Sequence, residues 1–109
     1  MGLRNLPTER AERLAELVTN RPGQVSSMAL TGFGDAADMT LLAFAQGESV
    51  SEEAYEGDTL YYLVEGEAEV VLGERRVRMG AGDVLMVPRG TLNAVESVTA
   101  FKVLQITIP

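Results

Sequence analysis

The sequence predicts an all-β fold, an antiparallel sandwich or barrel preceded by one short N-terminal α-helix. Three observations carry that prediction. Helical spacing of apolar residues stops near Gly23, and β-like runs take over. Those runs are short, recur at regular intervals and are punctuated by Gly, Asp and Pro, as strands joined by tight turns are. One turn, Gly73-Glu74, separates two runs whose opposed residues match on both faces.

Residues 7–18, PTERAERLAELV, read as an amphipathic helix. Ala11, Leu14, Leu17 and Val18 share one face, while Glu9, Glu12, Arg13 and Glu16 cover much of the rest. Thr8 is placed as N-cap with Glu9 at the positive end of the helix dipole, and Asn20 followed by Pro22-Gly23 ends the helix. This segment, residues 1–23, would pack on the barrel or on a partner subunit. Strands are expected at 24–30, 38–46, 50–54, 59–65, 67–72, 75–80, 84–88, 92–96 and 99–107, with Gly32-Phe33-Gly34-Asp35 a loop between the first two.

In the hairpin at Gly73-Glu74, pairing Leu72 with Arg75 sets Val70 opposite Val77 and Glu69 opposite Arg78. One face gains an apolar pair and the other an opposite-charge pair, each contributing about 0.2–1 kcal/mol. The final strand is apolar on both faces, with Phe101 and Val103 on one and Leu104, Ile106 and Ile108 on the other, so cover is expected on both sides. No repeat, low-complexity tract or linker divides the chain, and residues 1–109 are read as one domain.

Composition narrows the functions. The net charge of −7, with Lys102 the only lysine, disfavours nucleic acid and anionic membranes as partners. No apolar run approaches the length of a membrane span, and no secretory pattern opens the sequence, so a cytoplasmic location is expected. Without cysteine there are no disulfides or thiolate sites, and without histidine no imidazole ligand or base.

Two punctuated segments then stand out: GESVSEEAYEGDTLYYLVEG at 47–66 and GDVLMVPRGTLN at 82–93. Their glycines and Pro88 are spaced as in the two motifs of the cupin superfamily, and the resemblance to RmlC-like, conserved-barrel cupins extends over roughly residues 38–107. The resemblance implies an antiparallel double-sheet jelly-roll barrel that assembles as a homodimer. It also implies a divalent metal held inside the barrel by two His and a Glu of the first motif and a His of the second. Carried across, those ligand positions are Glu53, Tyr55, Thr59 and Asn93, and none keeps the family's residue.

A metal held by imidazole is therefore not expected, and no cofactor is assigned. A hard divalent cation is the one kind of ion the stretch would suit, because Glu48, Glu52, Glu53, Glu56 and Asp58 crowd together and Asn93 offers an amide oxygen. Strand alternation would send Glu52 and Glu56 to water and leave Asp58 out of phase unless a bulge turned it inward. The expectation is a small molecule bound in a barrel pocket lined by Tyr55, Thr59, Tyr61, Met86, Asn93 and Phe101. The alternatives are an isomerase-, lyase- or dioxygenase-like enzyme using Glu53 as acid, base or cation ligand, and a homodimeric structural module with a filled barrel.

Overall fold

The fold follows from how the short β runs pair. In the computed structural model, which describes all residues except Met1 and Phe33, eight strands form two antiparallel sheets. They are β1 (Val25–Ala29), β2 (Asp38–Phe44), β3 (Asp58–Glu65), β4 (Glu67–Leu72), β5 (Arg75–Gly80), β6 (Val84–Val87), β7 (Ala94–Ser97) and β8 (Phe101–Ile108). The larger sheet has the order β1-β2-β8-β3-β6 and the smaller the order β5-β4-β7. This is the all-β double-sheet barrel expected from the sequence.

The β4–β5 hairpin takes the predicted register, with Leu72 opposite Arg75, Val70 opposite Val77 and Glu69 opposite Arg78. Its outer face is a charge ladder. Glu69 and Glu96 lie directly opposite across β4 and β7, a repulsive arrangement that Arg76 relieves by reaching both, at 3.6 and 2.7 Å. Such exposed pairs each contribute little to stability.

Between the sheets lies the main core, built from inward residues of nearly every strand, among them Phe44, Leu63, Val70, Met79, Val87, Phe101 and Val103. Phe44 and Phe101 stack with ring centroids 4.4 Å apart. Gly66 makes the β3–β4 turn possible in two ways: its φ is +84°, and a Cβ there would strike the Ala100 carbonyl and Phe101.

Two expectations about elements are corrected. The segment 7–18 is not an α-helix; only Leu14–Leu17 form one 3₁₀ turn, and Ala11 is exposed. A lone helix this short is marginal in water, and Glu9 at φ 58° already departs from helical geometry. Three of the four apolar residues of the expected face, joined by Leu6, nonetheless lie against the larger sheet. Leu6, Leu14, Leu17 and Val18 cover Leu30, Leu41, Ala43 and Leu104 on the outer face of the larger sheet. Lys102 Nζ donates to the Ala15 carbonyl at 2.6 Å, and Asn20 Nδ2 donates to the carbonyls of Phe44 and Phe101.

The second correction concerns 50–54, which is no strand. It touches the fold through isolated bridges, Ser49 to Glu96 and Glu53 to Asn93. With Val50 its one large apolar side chain, it has no alternating face to bury. The 32–35 loop is seen in Gly32, Gly34 and Asp35, while Phe33 lies outside the described residues.

Candidate functional site

Inside the barrel, the pleat of β2, β3 and β8 directs a set of side chains toward a cavity of about 150 Å³. Leu42, Phe44, Val50, Val95 and Val103 supply its apolar wall. Its polar groups are Glu53, Tyr55, Tyr61 and Gln105. Gln105 was not singled out from the sequence. The signal was there, since it is a polar residue in phase with the inward Phe101 and Val103 on the same strand.

Asn93 anchors the polar end. It is buried, its Oδ1 accepts a 2.7 Å hydrogen bond from the Tyr61 hydroxyl, and its Nδ2 donates to the carbonyls of Glu53 and Thr91, both at 3.1 Å. Its backbone also exchanges two 2.9 Å bonds with Glu53. One side chain thereby ties the 50–55 segment, the 88–93 turn and β3 together.

Burial holds the Tyr61 hydroxyl well above the usual phenol range, and the neighbouring Tyr55 and the charge of Glu53 push the same way. Tyr55 is also raised, chiefly by burial and further by Glu53, while the Gln105 amide partly offsets the shift. Both phenols are therefore neutral hydrogen-bonding groups at physiological pH.

The remaining expected residues are placed as follows. Glu53 is exposed, with its side chain at the cavity edge rather than sealed in an apolar interior. Thr59 is fully buried and shares a 2.9 Å hydrogen bond with the Thr107 hydroxyl across the β3–β8 pair, away from the cavity. Phe101 belongs to the solid core, and it is its stacking partner Phe44 that lines the cavity. Met86 is 57% exposed and faces outward: Leu85 and Val87 take the inward positions of β6, one step out of phase with the expectation. Asp58 stays on the surface, accepting a bond from the Arg89 backbone N–H at 2.9 Å.

These positions do not suit the metal centre that the motif spacing implies. Both atoms of the Asn93 amide and the Thr59 hydroxyl are engaged in hydrogen bonds within the protein, and no imidazole exists in the chain. Among the described residues no three acidic side chains gather where they could hold a metal ion.

Comparison with known proteins agrees with this architecture. The family model described as "Cupin domain" matches residues 40–107. A cupin superfamily protein from Desulfitobacterium hafniense DCB-2 is 45% identical, with a TM-score of 0.95 over 99% of this chain and 98% of that one. A cupin 2 conserved barrel domain protein from Leptotrichia buccalis is 28% identical, with a TM-score of 0.83 over 88% of this chain and 46% of that one. A conserved protein of unknown function from Streptococcus pyogenes shares the fold at 20% identity, with a TM-score of 0.93 over 99% of this chain and 94% of that one. The comparison with curated proteins finds no match.

Proposed function

The chain belongs to the cupin superfamily, and from that premise we propose that its barrel binds a small, mostly apolar molecule carrying a hydrogen-bond donor, without an imidazole-held metal. The observation that carries this reading is the convergence of Tyr55, Tyr61, Gln105 and Glu53 on one wall of an otherwise apolar cavity. A cavity of about 150 Å³ matches the space that accepts a benzene-sized molecule. Neutral phenols and an amide can donate or accept, whereas the Glu53 carboxylate accepts only and repels an anion. The favoured ligand is thus neutral or cationic.

Benzyl alcohol, benzylamine and benzoate form a matched test set. Chemical-shift titration should show saturable binding of the first two at the Tyr55 and Gln105 amides and little of benzoate. Glu53→Gln should selectively weaken benzylamine. Equal binding of all three ligands, or none of any, would overturn the reading.

The proposed assembly is a homodimer in the cytoplasm. Beyond the edge of the N-terminal cover, Tyr62, Val84, Met86 and Ile108 remain exposed on the outer face of the larger sheet, and Ile106 lies among them in register. An apolar strip of this kind suits the self-complementary contact of two copies about a twofold axis.

A further inference from the structure

A second cavity opens where the two sheets part, one strand away from the first. β5 is an edge of the smaller sheet and β6 an edge of the larger, and no ladder joins them, so the barrel has an open seam there. The seam holds a groove of about 460 Å³. Leu72, Val77, Leu85 and Val87 form its floor, and Met86 and Pro88 flank it. That volume falls within the range of small-molecule pockets.

The charge at this groove follows from strand parity. Arg75, Val77 and Met79 share one face of β5, and Met79 is buried in the core, so Arg75 stands on the inward face where the strand begins. Arg76 and Arg78 occupy the opposite face, and each is paired with glutamates: Arg76 with Glu69 and Glu96, Arg78 with Glu67 and Glu69. Arg75 lines the groove and, among the described residues, meets no carboxylate. Arg4, Arg13, Arg21 and Arg89 also form no ion pair among the described residues, but of these arginines only Arg75 lines the groove, over an apolar floor.

We propose that this seam binds a small amphipathic carboxylate, its hydrocarbon body lying on Leu72, Val77, Leu85 and Val87 and its head paired with the Arg75 guanidinium. The planar fork of arginine accepts a carboxylate through two parallel hydrogen bonds, and the apolar floor strengthens them by limiting water. The seam is separate from the Tyr55–Gln105 cavity, whose Glu53 disfavours anions. The two sites therefore sort ligands by charge.

Octanoate, with octanol as its uncharged counterpart, tests the assignment by calorimetry and amide chemical-shift mapping. Octanoate is expected to bind one per chain, with shifts at Val77, Leu85 and Val87, and more tightly than octanol. Arg75→Gln should weaken octanoate by about tenfold, the worth of a charge-assisted pair, and leave octanol unchanged. Arg78→Gln, which alters the outward face, should leave octanoate binding intact. The proposal is overturned if octanoate fails to saturate, if its shifts centre on Tyr55 and Gln105, or if Arg75→Gln has no effect. Equal weakening by Arg78→Gln would also overturn it, since that marks a diffuse charge effect.

Discussion

Replacing Asn93 with alanine removes the side chain that joins three segments, and the cost can be worked from its contacts. The Tyr61 hydroxyl, 2.7 Å from Asn93 Oδ1 and buried, would lose its acceptor, at about 1–3 kcal/mol. The bonds to the Glu53 and Thr91 carbonyls add about 0.5–1.5 kcal/mol each. The Glu53 carbonyl keeps the Asn93 backbone donor, so its share falls at the low end. The sum is about 2–5 kcal/mol, a large part of the roughly 5–15 kcal/mol that stabilises a domain of this size.

Urea unfolding of Asn93→Ala, Tyr61→Phe and the double variant measures the effect directly. Tyr61→Phe leaves Asn93 Oδ1 without its donor and should cost about 1–3 kcal/mol on its own. Once the partner is gone, however, the second substitution strands nothing. The double variant should therefore be more stable than the sum of the singles implies, by about 1–3 kcal/mol. Strict additivity would refute the idea that phenol and amide form one unit. So would an Asn93→Ala loss below about 1 kcal/mol.

Other expectations follow from the same contacts. Because the native Tyr61 hydroxyl is raised above its ordinary value of 10.0, the stabilisation that it carries is complete below that pH and is lost as pH climbs through the native value. Alkaline titration should thus show a fall in melting temperature above about pH 10 that Tyr61→Phe blunts, alongside delayed tyrosinate absorbance. Met86→Glu, on the exposed strip, should lower native mass at a given concentration with little loss of core stability; an unchanged mass would remove that face from the interface. Gly66→Ala combines a positive φ with a collision against the Ala100 carbonyl and should cost more than about 2 kcal/mol in urea unfolding. Lys102→Met removes the only lysine bond to the Ala15 carbonyl and should speed hydrogen exchange in the N-terminal cover while sparing β2 and β3.

Much of the barrel was legible because its punctuation is chemical. The β4–β5 register follows from pairing that satisfies apolar and charged faces at once, and Gly66 stands where a side chain has no room. The N-terminal segment misled because helical spacing of Leu14, Leu17 and Val18 also serves one 3₁₀ turn followed by extended chain. Leu14, Leu17 and Val18 are covered all the same, while Ala11, spaced for the same face, is exposed. The candidate site was harder to read because each strand phase is binary. A shift of one residue in β6 exchanged Met86 for Leu85 and Val87. Gln105 escaped notice because a run of aliphatic neighbours on both faces masked the one polar residue pointing inward. Glu53, Tyr55 and Tyr61 line one cavity, with the first two at positions that the motif spacing places independently of strand phase.

The position of β8 bears on how the domain comes into being. It is the last strand in sequence yet pairs with both β2 and β3 at the centre of the larger sheet, and it supplies Phe101 and Val103 to the core. Until residues 101–108 have left the ribosome, β2 and β3 each lack a neighbour and the halves of that sheet stay apart. The domain then has to close loops dozens of residues long in one concerted event, which places it among slowly folding, non-local topologies. During synthesis its open strand edges are an invitation to chaperones and to misassembly alike, and the acidic character of the nascent chain helps hold neighbouring copies apart until the last strand arrives.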